Sequence, residues 1–357
     1  MFDLKLLITL IYNKIFDYSK KIILVYAEQI QHAKDCMSSD NTFTFNGCHY
    51  QFDSVESNAL KQEISECESR IRPLCSEDLS FKSEFSEKDV FDLVHGQLTP
   101  AALALDFPRL TPKEMYLKKQ NLRRYSDIYA PVDKICKDYN GNIDGHLGLF
   151  EGPYEQEENN SLISFIDALK TWGNVNKILV LGPAYENNIQ KHYPYYINSS
   201  VKEISCDINQ YSYDDYEVFH FHAWTDHGIT NLHQNSIDWL YETLCNNTQE
   251  NIAIHCSAGV GRTGTLAFAY QLFNEYDTIF VADNQEETAA NIVRELISLR
   301  RIRAFLVQNP RQISMALTLA DQFKALALAN KSENITEVAS FDNEPSKLNA
   351  TFSRFRR

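Results

Sequence analysis

A cysteine and an arginine with five residues between them, Cys256 and Arg262, share a short segment with Gly259, Gly261 and Gly264. Residues Ile252–Thr265 read Ile-Ala-Ile-His-Cys-Ser-Ala-Gly-Val-Gly-Arg-Thr-Gly-Thr. Glycines let the backbone curl and point successive N–H groups inward, a concavity that suits an anion. A thiol facing those amides, a helix N-terminus and a guanidinium is expected to ionise well below the ~8.5 of a free cysteine. A thiolate at neutral pH is a nucleophile. The planar fork of Arg262 matches two equatorial phosphoryl oxygens, which a lysine cannot do. The implied chemistry is attack of sulfur on a cradled phosphoryl group.

Two other readings compete. A nucleotide-binding phosphate loop needs Gly-Lys-Ser/Thr, and this chain has Gly261-Arg262-Thr263, with no lysine to reach the outer phosphates. A buried, inert structural cysteine is the plain reading of any free thiol. His255, Ser257, Thr263 and the three glycines around Cys256 weigh against it.

Such a loop needs a strand before it and a helix after it. Asn251–Ile254 is apolar and β-branched enough for a buried strand, and Thr265–Phe273 has helix formers with an apolar face. Strand, glycine-rich turn and helix N-terminus together make a phosphate site. Lys177–Leu181 is almost wholly apolar, as in a strand covered on both faces. A further strand is expected from Val218 to His222, and amphipathic helices over Leu162–Trp172, His233–Cys245 and Glu287–Leu299. Ala316–Ala329 is an alanine- and leucine-rich helix.

The run His255-Cys256-Ser257-Ala258-Gly259-Val260-Gly261-Arg262-Thr263-Gly264 resembles the signature loop of the cysteine-dependent protein tyrosine phosphatases, in their tyrosine-specific branch. The resemblance extends over about Ser86–Ala329. It implies a single highly twisted mixed α/β sheet flanked by helices on both faces, and hydrolysis of phosphotyrosine through a cysteinyl-phosphate. By carry-over, Cys256 is the nucleophile, and Arg262 with the amides of Ser257, Ala258, Gly259, Val260 and Gly261 holds the phosphoryl group. Thr263 helps the thiolate leave and His255 orients the loop.

Trp224-Thr225-Asp226 resembles the family's mobile Trp-Pro-Asp loop, so Asp226 is the expected general acid and Trp224 is placed with the substrate-binding residues. Expelling a tyrosinate of pKa near 10 requires such a donor. Thr225 replaces a proline, and loss of that ring's fixed φ should loosen the loop. Asn121–Asp127 resembles the recognition loop, with Tyr125 as the slot wall and Asp127 on the substrate backbone, despite an inserted Leu122-Arg123. Val307–Gln312 resembles the glutamine loop: Gln308 positions water and Gln312 limits transfer to other acceptors, with Asn309 where the family has threonine. Glu186 and Lys191 match a pair the family keeps behind the arginine.

The net charge of −14 argues against nucleic acid or an anionic membrane as partner, and makes Arg262 the local attraction for phosphate. The eight cysteines show no Cys-x-x-Cys spacing, so neither metal site nor redox pair is expected, and no cofactor. His220, His222 and His227 are read as packing residues on and after a strand rather than ligands. The five Asn-x-Ser/Thr matches are read as coincidence in an asparagine-rich chain. No apolar run reaches the roughly 20 residues that span a membrane, and Asp3 weakens a signal peptide. A cytoplasmic location is expected, in a host cell if the asparagine-, isoleucine- and lysine-rich chain is a bacterial effector.

Three parts are expected. Residues 1–85, with a helix over Met1–Lys20 and a hairpin over Asn41–Phe52, form an accessory region and a candidate for a protein partner. Residues 86–330 form the catalytic domain, and 331–357 a polar, flexible tail. The expected partners are phosphotyrosine-containing proteins. A phosphoinositide or broad-specificity phosphatase, or a catalytically weak phosphotyrosine-binding module, are the alternatives.

Overall fold

The computed structural model describes residues 6–11, 13–15, 42–45, 48–51, 65, 139–156, 159–225, 230–246, 249–280, 284–303 and 306–342. Helix α1 comprises residues 6–11 and 13–15. The strands are β1 (Thr42–Phe45), β2 (Cys48–Gln51), β3 (Gly141–Asp144), β4 (Leu147–Phe150), β5 (Glu155–Gln156), β6 (Asn159–Asn160), β7 (Val175–Leu181), β8 (Tyr185–Glu186), β9 (Ile189–Gln190), β10 (Lys202–Ser205), β11 (Ile208–Tyr213), β12 (Tyr216–Phe221) and β13 (Asn251–His255). The later helices are α2 (Ser161–Trp172), α3 (Gln234–Tyr241), α4 (Arg262–Asn274), α5 (Tyr276–Ile279), α6 (Gln285–Ile302) and α7 (Pro310–Asp342).

Seven strands form one mixed sheet in the order β10-β11-β12-β7-β13-β4-β3. The central pairs β12/β7, β7/β13 and β13/β4 are parallel, and the outer pairs are antiparallel. Period-2 alternation divides each central strand between two apolar layers. Ile178 and Val180 of β7 enter one layer and Leu179 and Leu181 the other; Ala253 of β13 faces the first, Ile252 and Ile254 the second. The continuous apolar run at Lys177–Leu181 is thus the mark of a strand with no solvent face.

Helix α2 covers the first layer with Phe165, Ile166, Ala168 and Leu169. Helices α3, α4, α6 and α7 contribute to the second. Helix α4 is buried along most of its length, from Arg262 to Leu272, with α7 packed along it. The α/β architecture with helices on both faces agrees with the expectation.

Leu7, Ile11 and Ile15, spaced four apart on one face of α1, join the second layer, and Lys14 pairs with Glu286 of α6 at 2.9 Å. Helix α1 therefore shares a core with the main sheet. The Asn41–Phe52 hairpin is present as β1 and β2.

Some boundaries differ from expectation. Helix α4 begins at Arg262 rather than Thr265, because the glycine-rich turn itself winds into the helix. The His233–Cys245 helix ends its α-helical part at Tyr241 and continues as a π-turn over Glu242–Asn246. Helix α7 continues past Ala329 to Asp342, well into the stretch read as a tail. Among the described residues no helix is long and apolar enough to cross a membrane.

Candidate active site

The Cys256–Gly261 loop lies between β13 and α4, and its carbonyls are all occupied from outside. The Cys256 carbonyl is 3.2 Å from His255 Nδ1, and that of Ser257 accepts from Gly152 N–H at 2.8 Å. The carbonyls of Ala258 and Gly259 accept from Arg303 Nη2 and Nε at 2.9 and 2.8 Å. The Val260 carbonyl accepts from the N–H groups of Gly264 and Val307, each at 3.1 Å. The Gly261 carbonyl accepts from Thr265 N–H and Oγ1, both at 2.9 Å. With every carbonyl tied outward, the loop turns its N–H dipoles toward its own centre. Gly259 sits at φ 70°, where a Cβ would also strike the Phe150 carbonyl, so only glycine completes this curl.

Cys256 is 3% exposed at the base of this bowl. Burial alone would raise its pKa, but the Arg262 charge, the Thr263 hydroxyl and the N–H groups of Thr263 and Gly259 together hold it below the ordinary thiol value. The balance favours sulfur as an anion. Arg262, the first residue of α4, is 1% exposed. Its Nη1 donates to the Trp224 carbonyl at 3.0 Å and lies 3.8 Å from Glu186 Oε1. Glu186 is in turn 3.9 Å from Lys191 Nζ across the β8/β9 hairpin. Of the expected pair, Glu186 stands beside the arginine and Lys191 beside Glu186. Gly182, at φ 105°, leaves the space the guanidinium fills.

Gln308 and Gln312 border the loop. A Cβ on Gly261 would come within 2.5 Å of Gln308 Oε1 and 3.0 Å of Gln312 Nε2. Gln312 Oε1 accepts from Gln308 N–H at 2.7 Å. Asn309 caps α7, its Oδ1 accepting from Gln312 N–H at 3.1 Å, with Pro310 as the first helical residue. Asparagine is among the good N-caps, so Asn309 suits this position. Val307 has φ 62°, an unfavourable conformation for a β-branched residue. Arg300 holds it there, Nε donating to the Leu306 carbonyl at 2.9 Å and Nη2 to the Val307 carbonyl at 2.7 Å.

Sequence reasoning missed the loop's principal support. Arg303 is fully buried, and besides its two loop carbonyls its Nη1 donates to Asn140 Oδ1 and Asn142 Oδ1, both at 3.0 Å. Asn140 also donates to the buried Glu151 carboxylate. The clustered basic run Leu299–Arg303 was the available signal, but nothing in it singles out one guanidinium. Tyr195 was missed too: its hydroxyl lies 3.0 Å from His255 Nε2. A neutral His255 with its proton on Nδ1 satisfies both contacts, donating to Cys256 and accepting from Tyr195. His220, read as a packing residue, lies 2.9 Å from the Gly182 carbonyl through Nε2, with its ring against Tyr196, His192 and His222. Ser257 Oγ donates to the Lys191 carbonyl at 2.9 Å, tying the loop to the β8/β9 side.

The structure thus gathers His255, Cys256, Ser257, Ala258, Gly259, Val260, Gly261, Arg262, Thr263, Gln308, Gln312 and Trp224 around one loop. Tyr125, Asp127 and Asp226 lie outside the described residues, as does His227. Trp224, buried in the second core layer, is two residues before Asp226.

Residues 184–321, less than half of the chain, match the family model described as protein-tyrosine phosphatase. Tyrosine-protein phosphatase non-receptor type 2 of Rattus norvegicus is 31% identical over 99 residues, covering 27% of this chain and 22% of that protein. Tyrosine-protein phosphatase 1 of Caenorhabditis elegans is 34% identical over 92 residues, 25% of this chain and 8% of that protein. The chain therefore spans less than a quarter of the length of these curated relatives. A solved structure of PTPN18, studied for its fingerprint on distinct HER2 tyrosine phosphorylation sites, superposes with TM-score 0.50 at 18% identity. That match covers 66% of this chain and 96% of the other, and shows a shared fold.

Two outcomes follow from this geometry. Arg303→Met strands two loop carbonyls and two asparagine oxygens in the interior, each costing about 1–3 kcal/mol. The urea unfolding midpoint should fall by an amount equivalent to more than about 3 kcal/mol. The second outcome concerns pH. Burial holds His255 down at about 3, aided by the nearby His220 and Arg262, and holds His220 down at about 4, aided by His222. Both would take up a proton near 6.5 in the unfolded chain. Unfolding thus binds protons between about 6.5 and 4, so stability is full above this window and lost as pH falls through it. Urea midpoints measured from neutrality to about pH 4 should decline, and His220→Gln should make the decline shallower by about one proton's worth, ~1.4 kcal/mol per pH unit.

Proposed function

We propose that the chain is a protein tyrosine phosphatase that hydrolyses phosphotyrosine in two displacements. The observation that carries the reading is a buried thiol whose pKa is nevertheless depressed, beneath a loop of inward amides and beside a buried guanidinium. Such a centre stabilises charge on sulfur before substrate arrives and on the phosphoryl oxygens as the transition state forms. The partial family match and the relatives' printed names support the same assignment.

In the first displacement the Cys256 thiolate attacks phosphorus, and the bond to the tyrosine oxygen breaks. Arg262 and the amides of residues 257–261 hold the equatorial oxygens. Asp226 delivers its proton to the departing tyrosinate. In the second, Gln308 orients water, Asp226 accepts a proton from it, and the S–P bond breaks to release phosphate and thiolate. Thr263, whose hydroxyl helps hold the sulfur's pKa down, stabilises that leaving anion. Gln312 limits access by other acceptors, and Tyr125, Asp127 and Trp224 hold the phosphotyrosine ring and its backbone. Arg262 donates to Trp224 on the segment leading to Asp226, so phosphate binding and acid delivery share a side chain.

The reading takes residues 86–330 as the catalytic unit and phosphotyrosine proteins as substrates. A reducing, cytosolic setting suits a catalytic thiolate, and Cys206, Cys245 and Cys256 are free thiols.

Turnover of p-nitrophenyl phosphate and of a phosphotyrosine peptide checks the proposal. Cys256→Ser should abolish turnover while retaining peptide binding, and Asp226→Ala should slow peptide turnover by about 10²–10⁴-fold. Undiminished turnover in the serine variant removes Cys256 from the chemistry. A wild-type chain that binds phosphopeptide without turning over either substrate would be a binding module instead.

A further inference from the structure

The turn between β10 and β11 and the residue preceding α3 bring together three side chains that phosphoryl transfer does not use. These are Cys206, Asp207 and His233, and one donor atom from each lies within 4.8 Å of the other two. A tetrahedral centre with metal–sulfur near 2.3 Å and metal–nitrogen or –oxygen near 2.0–2.2 Å places its donors about 3.3–3.6 Å apart. Modest side-chain rotation closes that difference. Cys206 and His233 are exposed and can rotate, while Asp207 is buried and fixed.

The fixing of Asp207 is one-sided. Its Oδ2 accepts from His233 N–H at 2.8 Å and from Ser236 Oγ at 2.7 Å, and Ser236 Oγ lies 2.7 Å from Ser205 Oγ. Among the described residues Oδ1 accepts no hydrogen bond, so one carboxylate oxygen is oriented by its partner. Outer hydrogen bonds of this kind are what hold a metal ligand in place. A helix-capping role accounts for Oδ2 and for the His233 amide. It does not account for a thiol and an imidazole converging on the same carboxylate.

We propose that Cys206, Asp207 and His233 form a binding site for a borderline-soft divalent cation such as zinc, with water in the fourth position. Thiolate plus imidazole selects zinc over magnesium or calcium, which prefer all-oxygen sets. On binding, the Cys206 S–H bond breaks, its proton passes to solvent, and a metal–sulfur bond forms; no electrons are transferred. The cation ties the β10–β11 turn to the start of α3. Cys-x-x-Cys spacing could not reveal this site, because His233 comes from a different element than the Cys206-Asp207 pair.

The test uses the full chain carrying Cys256→Ser, so the reactive loop offers no thiolate and no turnover is involved. Titration with cobalt(II) alone should give a thiolate-to-metal charge-transfer band and tetrahedral visible bands, saturating at about one equivalent and displaced by zinc. Adding Cys206→Ala or His233→Ala should remove these bands, with circular dichroism confirming the fold. Zinc should raise the unfolding midpoint of the Cys256→Ser chain and leave both double variants unmoved. Absence of the bands in the folded Cys256→Ser chain, or their persistence in both double variants, overturns the site. Either result leaves the phosphatase assignment to be judged separately by turnover.

Discussion

The direction of six consecutive carbonyl groups governs this molecule. From Cys256 to Gly261 each is held by a donor outside the loop, and only that arrangement leaves the amides facing Cys256. A free peptide of this sequence would satisfy its carbonyls with water and point its dipoles at random. The fold supplies the order before any substrate is bound, which is the condition under which dipoles stabilise developing charge most effectively. The thiol's pKa is depressed first by the Arg262 charge and then by Thr263 and the Gly259 N–H, since burial by itself acts in the opposite sense.

Several of the donors come from distant parts of the chain. Gly152 lies after β4, Val307 and Arg303 in the link between α6 and α7, and Thr265 in α4 itself. The parallel register of β4, β13 and β7 sets the strand ends at one level, so these segments reach the loop together. Two buried guanidinia divide the work: Arg303 grips the outside of the loop, while Arg262 fills the inside edge and reaches the Trp224 carbonyl. Exchange of either for lysine would lose the multidirectional donor set. On the side of α2, His255 joins the loop to Tyr195 and to a cluster of aromatic and imidazole rings, and burial keeps its own imidazole neutral.

The sequence shows the residues of the glycine-rich loop plainly and their supports poorly. Cys256, Arg262 and the glycines are close in sequence, so local geometry alone implied a phosphate cradle. The two-faced strand at Lys177–Leu181 was equally plain, because burial on both sides leaves no polar alternation. Arg303 was hidden because its partners lie 44, 45, 161 and 163 residues away, and Arg300 and Arg301 look the same on paper. Tyr195 was hidden among Tyr193 and Tyr196 for the same reason. The end of α7 is hard to see in the sequence because Lys331–Asp342 is polar, although several of its residues favour helix. Leu7, Ile11 and Ile15 showed helical spacing, but spacing cannot say what an apolar face packs against.

The account turns on sulfur being an anion at neutral pH within a dry pocket. The most direct measurement is the pH dependence of iodoacetate alkylation at Cys256, followed by peptide mass mapping so that the exposed Cys206 is scored separately. An inflection for Cys256 well below that of Cys206, shifted upward by Arg303→Met as the loop loosens, is the expected result. Titration of Cys256 at or above the ordinary thiol value in the folded chain would contradict the account.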